Sequence, residues 1–391
     1  MKLFATAREV FEERSLGSPA GHLFAFDGPL APYGAGLFST GLLFKKSPWT
    51  ADEIGMLTER LGVGHPEWWF GHSPEIHYSP LTSQLPSEDY LSTALAEVLA
   101  APNLRSFYAS HQEEFAPATD DRPFFNQNLR WTSLRPHDFG HIFVAGRHGS
   151  VNTQFDALPV AEVMLIVLLL QATAIAFACI MLPLARRFRG GLQFSRLWPL
   201  IVYFGGLGLG FIMIEIVFIQ RFILFLGEPV YTFAVVLAGL LAFAGIGSWI
   251  VGRLRRNCRL SLLWIIPSIL AVLLVTTMLL PWVFASALGL SLPWRIVIVL
   301  AIVGPIGTLL GMPFPTGLRI VAGEEPAFVP WVWGINGFST VVGSIGASIL
   351  GMAFGFNAVL AVSGACYLSA LLAMTVMSTA PETRDRVLAT S

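Results

Sequence analysis

The stretch GFIMIEIVFIQRF, residues 210–222, sets a glutamate, a glutamine and an arginine inside an apolar run. An ionised side chain at the centre of a membrane helix costs about 2.5–3.5 kcal/mol, and each Leu, Ile, Phe or Val returns about 0.3–0.6 kcal/mol. The run holds enough of these to insert despite Glu215, and Arg221 lies near enough to an end to snorkel. Six positions separate the two charges, so a helix points them about 120° apart and they cannot pair with each other. Each needs a partner from another element, a water-filled cavity or, for Glu215, a proton. Asn336, in WGINGFST, is the most polar side chain of a later apolar run, and Tyr231, Thr316 and Arg319 are further candidates. Glu215, Arg221 and Asn336 are therefore read as an intramembrane polar site, with Glu215 expected to face the run holding Asn336 or the proline-rich run before it. Such a site is either a clamp between helices or a place that handles a proton or a small solute.

Other chemistry-bearing residues carry less. His65, His72 and His77 fall in HPEWWFGHSPEIH, and His137 and His141 in HDFGH. Either group could hold a metal on a regular element, but proline and glycine interrupt both and no cysteine accompanies them. Surface histidines are the expectation, with no metal site. Cys179, Cys258 and Cys366 make no disulfide framework. GGLGLG (205–210) has the glycines of a dinucleotide-binding turn, but it follows no strand and lies within an apolar run, so that reading is rejected.

The elements that must position these residues divide sharply. The chain has 391 residues, 54% hydrophobic and only 13% charged, too few polar groups to cover a soluble domain. Its net charge of −1 excludes no partner class by itself, but nothing suggests nucleic acid. Residues 1–157 carry all eight histidines and read as a partial α/β domain and linker. Helices are expected at 2–16, after a Thr50/Glu53 capping box, and at 87–101, with strands at 22–26 and 36–44. Residues 62–86 show no period. Residues 158–378 parse into seven spans at about 160–184, 198–226, 230–252, 261–285, 294–321, 329–353 and 356–378, each near the length of about 20 residues that crosses a bilayer. Residues 379–391 form a tail. The fold class is an α-helical polytopic membrane protein preceded by a partial, Rossmann-like α/β domain. Arginines cluster between spans one and two (186, 187, 189, 196) and between three and four (253, 255, 256, 259). The positive-inside rule makes these loops and the tail cytoplasmic and residues 1–157 external.

Small residues mark close helix packing: Gly206 and Gly210 on span two, Ala244, Ser248 and Gly252 on span three, and Ser339, Gly343, Ala347 and Gly351 on span six. Pro305, Pro313 and Pro315 are expected to kink or break span five.

Four stretches, PATDDRPFF (117–125), residues 207–248 from GLGFIMIEIVFIQRF onward, GMPFPTGLR (311–319) and PWVWGINGFSTVVGSIGA (330–347), resemble the bacterial membrane-embedded spermidine synthase-like proteins. The resemblance implies a Rossmann-type aminopropyltransferase or methyltransferase domain fused to transmembrane helices in a cytoplasmic (inner) membrane. It implies S-adenosylmethionine or its decarboxylated form as cofactor. The family binds the nucleoside on a Gly-rich strand–helix turn and activates the amine with an aspartate. Residues 1–157 hold no such turn, so the chain is expected to begin at a late helix of the domain and to bind no cofactor alone. Either it is a truncated member or a separate Rossmann-half polypeptide supplies the rest; a homo-oligomer is the other partner considered. Asp120, Asp121 and Arg122 mark the junction of domain and membrane. The catalytic aspartate is not carried over to them, because the surrounding pattern differs. Three functions stay open: a spermidine synthase-like protein that is catalytically incomplete alone, a transporter or channel for a small polyamine-like solute, and a membrane anchor for a separate enzyme subunit.

Overall fold

A computed structural model describes residues 2–29, 38–63, 76–81, 90–111, 114–124, 127, 130–131, 160–187, 194–253, 258–324 and 326–378. Of the histidines singled out above, only His77 lies among them; His65, His72, His137 and His141, and the tail, lie outside the described residues. The chain divides into two compact units. One comprises residues 1–119 and 123–163, the other residues 120–122 and 164–391.

The first unit is a small mixed α/β region. Helix α1 (Lys2–Glu13) buries Phe4, Ala5, Arg8 and Phe11, one face at helical spacing. Strands β1 (Leu23–Pro29) and β2 (Phe38–Phe44) pair antiparallel from Leu23↔Phe44 to Pro29↔Phe38. A third strand, β3 (Ile76–Tyr78), falls in the stretch that showed no period; three residues are too few to display one. It joins the other edge of β1, also antiparallel, giving the order β2-β1-β3. Helix α2 (Ala51–Leu61) starts at the expected capping box: the Glu53 N–H donates to Thr50 Oγ1 at 3.4 Å and the Thr50 N–H to Glu53 Oε2 at 2.9 Å. It stops at Gly62, φ 69°, where a left-handed residue is needed. Helix α3 (Tyr90–Ala100) and an unexpected short α4 (Leu104–Ser110), capped by Asn103, follow. Two apolar clusters hold it, one around Phe4, Leu23, Ala25 and Leu95, the other around Ala5, Val98, Phe107 and Phe115. Arg8 is buried because its guanidinium donates to the Val98 and Ala101 carbonyls at the end of α3. A cation there satisfies acceptors that the helix leaves open.

The second unit is helical in its described residues, and among the described residues seven long apolar helices fit membrane spans. Span one is α5 (Val160–Ala176), a π-helical turn at Phe177–Met181, and α6 (Leu182–Arg187). The widened turn precedes Pro183, whose ring would crowd the carbonyl four residues back. Then come α7 (Phe194–Leu226), α8 (Pro229–Arg253), α9 (Cys258–Ala287), α10 (Leu292–Leu310), α11 (Pro313–Glu324), α12 (Val329–Phe354) and α13 (Phe356–Ser378). Span five is broken, as the prolines require, into α10 and α11 at Gly311–Met312. Pro313 and Pro315 fall in the first turn of α11, where a helix has no acceptor for their missing N–H groups. Tyr203 donates its hydroxyl to Pro313 O at 2.8 Å, and a Cβ on Gly317 would lie 2.3 Å from the Tyr203 ring.

The small residues do set helix approach, with one change. A Cβ on Gly206 would meet the Cys366 carbonyl at 2.7 Å, and one on Gly210 the Tyr367 ring at 2.6 Å, so this pair seats α7 on α13. Ser339 and Gly343 seat α12 on α7. On α8 the close residues are Ala244 and Gly247, against Gly311 and Thr308; Gly252 faces open space. The i, i+4 register was extended too far, because a helix of 3.6 residues per turn drifts off a strict four-residue stripe.

Exposed aromatic residues flank the apolar band. Tyr231 and Trp249 on α8, and Trp264 and Trp282 on α9, are all more than half exposed. Each pair is eighteen residues apart, about 27 Å along a helix, against a hydrocarbon core of about 30 Å. Interfacial Trp and Tyr occupy this position in membrane proteins.

Candidate functional site

Asp121, Arg122, Arg221 and Asn357 of the second unit gather at one rim of the bundle. Here α7 ends, α13 begins, and the three residues 120–122 are held between them. Asp121 acts as a cap for α13 from outside the helix. Its backbone oxygen accepts the Phe356 N–H at 2.9 Å, and its Oδ1 accepts the Asn357 N–H at 2.8 Å. The same Oδ1 accepts from Arg221 Nη2 at 3.0 Å, and that nitrogen also donates to Asn357 Oδ1 at 2.8 Å. Arg122 Nη2 donates to Met352 O at 3.0 Å, one of the last carbonyls of α12. A carboxylate thus meets a helix N-terminus and a guanidinium meets a helix C-terminus, the favourable sense of the macrodipole on both counts. Asp120 is solvent-exposed.

Gly355 makes this geometry possible. It turns α12 into α13 at φ 89°, and a Cβ on it would lie 2.2 Å from Asp121 Oδ2. Both the dihedral and the space demand glycine. Arg295 strengthens the same rim by donating from Nη1 to Phe225 O at 2.8 Å, at the end of α7.

The residues read as one intramembrane site are dispersed. Arg221 meets Asp121 and Asn357, not Asn336. Asn336 Nδ2 donates to Phe204 O at 3.0 Å, over Gly208, where an added Cβ would be 2.6 Å from the Asn336 carbonyl. That point is seven residues before Glu215, about 10 Å along α7, so Asn336 is no partner for the glutamate. Thr316 donates to Met312 O, Arg319 to Val251 O, and Tyr231 is exposed at the rim. Glu215 is half-buried and makes no hydrogen bond or ion pair among the described residues. It does share a face of α7 with Phe204, Gly208, Phe211, Phe218 and Phe222, at spacings of four, three, four, three and four. Phe204 packs on Phe314 of α11, and Phe222 on Phe284 of α9. Along this stripe Phe204 and Gly208 meet α11 and α12, and Phe222 meets α9.

Asn357 was missed by the sequence reading. Its one local signal is that it opens a helix directly after a glycine turn; its partners lie 236 and 136 residues away. In the first unit, His77 is buried on β3 with Nδ1 3.5 Å from Ser92 Oγ, not at the surface. Burial there comes from β3 joining the sheet. No group of three His, Cys, Asp or Glu that could hold a metal occurs among the described residues. No family model matches this chain, no curated protein matches it, and no solved structure matches it.

Proposed function

We propose that the chain is the membrane-bound part of a spermidine synthase-like protein of the bacterial cytoplasmic membrane, an anchor that is catalytically incomplete alone. In this reading a transferase site using S-adenosylmethionine or its decarboxylated form needs a nucleoside-binding half on a separate polypeptide. The observation that carries the reading is the convergence of the four stretches behind the resemblance. PATDDRPFF supplies Asp121 to Arg221, GMPFPTGLR packs its Pro313 and Gly317 on Tyr203, and WGINGFST supplies Asn336 to Phe204. All three meet α7, whose second half begins the fourth, which continues into α8. Among the described residues every pairing in β2-β1-β3 is antiparallel, whereas a nucleoside-binding Rossmann crevice uses parallel strands feeding helix N-termini.

Calorimetry on the detergent-purified chain tests the reading. Neither S-adenosylmethionine nor its decarboxylated form should give a saturable micromolar isotherm with the chain alone. Either should do so after co-purification with a polypeptide bearing a strand, a Gly-rich turn and a helix. A micromolar isotherm from the isolated chain refutes the proposal. The external placement of residues 1–157 is tested separately, by labelling single cysteines at Ser150 and Ser195 from outside. Labelling at Ser195 alone reverses the topology.

A further inference from the structure

We infer that Trp249 and Arg253, at the end of α8, form a binding site for the headgroup of an anionic phospholipid. The Arg253 guanidinium lies over the Trp249 ring, 3.9 Å from its centroid. Residues four apart on a helix stand one above the other, and the attraction between cation and indole face holds the side chain in place. Its fork of N–H donors matches a phosphate. Those donors are not committed elsewhere: Arg253 is exposed and makes no hydrogen bond or ion pair among the described residues. A basic side chain at a helix C-terminus can serve the open carbonyls there, but on α8 that task falls to Arg319 of α11, which donates to Val251 O. Trp249 is itself 57% exposed. On the same face of α8, Ala242, Gly245 and Ile246 offer no charge to an acyl chain: Ala242 and Ile246 are exposed, and a Cβ on Gly245 would meet nothing within 4 Å.

Depth and charge name the occupant. Tyr231 and Trp249 mark the two edges of the apolar band on α8, and Arg253 lies one turn beyond Trp249, about 6 Å further out. Headgroup layers extend a hydrocarbon core of about 30 Å to a bilayer of about 40–45 Å, so the pair stands at the level of lipid phosphates. From Pro229 to Gly323 the sequence has six arginines, Arg253, Arg255, Arg256, Arg259, Arg295 and Arg319, and no Asp or Glu. No carboxylate of α8, α9 or α10 is therefore present to neutralise Arg253. An anionic lipid supplies the missing charge at the right depth and lays its chains on the apolar face below. Trp282, 71% exposed at the far end of α9, has no cation over it among the described residues and serves as the contrast. The site does not depend on the proposed function.

The full chain in detergent, with phosphatidylglycerol and phosphatidylcholine of the same acyl chains as probes, tests it. Bound lipid is counted by native mass spectrometry, and thermal unfolding is followed in parallel. Phosphatidylglycerol should bind more tightly than phosphatidylcholine and raise the unfolding midpoint further. Soluble glycerol phosphate should not displace it, which separates a lipid from a free phosphate. Arg253→Gln should weaken phosphatidylglycerol binding about fivefold, the effect of one arginine near an anionic surface. Trp249→Leu, which keeps the charge and removes the ring that holds it, should also weaken it, while Trp282→Leu should not. The comparison of the two lipids on the wild-type chain tests the site even where a variant fails to fold. The inference is overturned by equal binding of the two lipids, by displacement with glycerol phosphate, by undiminished binding in Arg253→Gln or Trp249→Leu, or by an equal loss in Trp282→Leu.

Discussion

Replacing Asp121 by alanine should loosen the rim of the bundle, and the size of the effect follows from its two roles. As a cap, its Oδ1 satisfies the Asn357 N–H at 2.8 Å; loss of a capping side chain costs about 0.5–2 kcal/mol. As an ion-pair partner it meets Arg221 at 3.0 Å, but its side chain is 33% exposed against 10% for Arg221. The pair is therefore partly screened and contributes about 0.2–1 kcal/mol. Arg221 keeps its bond to Asn357 Oδ1, so it is not left stranded. Together these give about 1–3 kcal/mol, or roughly a 5- to 150-fold rise in local opening. Hydrogen–deuterium exchange on detergent-solubilised protein reads this directly at the first turn of α13, residues 356–360. Asp121→Asn keeps a capping oxygen and loses the charge, so it should cost about 0.2–1 kcal/mol. Combined with Arg221→Gln in a double-mutant cycle, it should show a coupling of about 0.2–1 kcal/mol that shrinks as salt is added. Exchange at 356–360 within twofold of wild type in Asp121→Ala would refute the reasoning.

Two further expectations concern packing and pH. Gly247→Ala puts a methyl 1.9 Å from the Thr308 carbonyl oxygen, and overpacking against backbone costs about 1–3 kcal/mol or more. Gly245→Ala meets nothing within 4 Å and should leave the detergent unfolding midpoint level or raise it by the helix propensity of alanine, about 1 kcal/mol at most; equal losses in both would show that contact with α10 is not the cause. In the first unit, the Lys45 ammonium bonded to Glu53, together with the Thr50 N–H, holds the Glu53 carboxyl down at about 2. A depressed pKa contributes stability that is complete above the unfolded value of about 4.3 and is lost as pH falls toward 2. Amide exchange in the first turn of α2 should accelerate over that window, and Glu53→Gln should remove the dependence; an unchanged pH profile in the variant would count against it.

Which features could be read along the chain, and which could not, depends on the range of the interaction behind each. Seven spans were legible because hydrocarbon length and hydropathy are properties of a contiguous run. The Thr50/Glu53 box was legible because its donors and acceptors lie three residues apart, and the break of span five because proline acts on its own helix. The pairing of Gly206 and Gly210 with some neighbour was legible as well; that the neighbour is α13 was not. Spacing alone put Glu215 and Arg221 on different faces of one helix, and that held. Their partners needed the fold. Arg221 finds Asp121 one hundred residues away, Asn336 is taken up by the backbone of α7, and Glu215 is left beside neither, because helix register and crossing decide which side chains stand level. Asp121 shows the same limit from the other side: in one dimension Asp120, Asp121 and Arg122 mark a junction of domain and membrane, without the partners they meet. Only when α12 and α13 turn at Gly355 do an unsatisfied N-terminus, an unsatisfied C-terminus and a buried guanidinium come together with the space that those three residues fill.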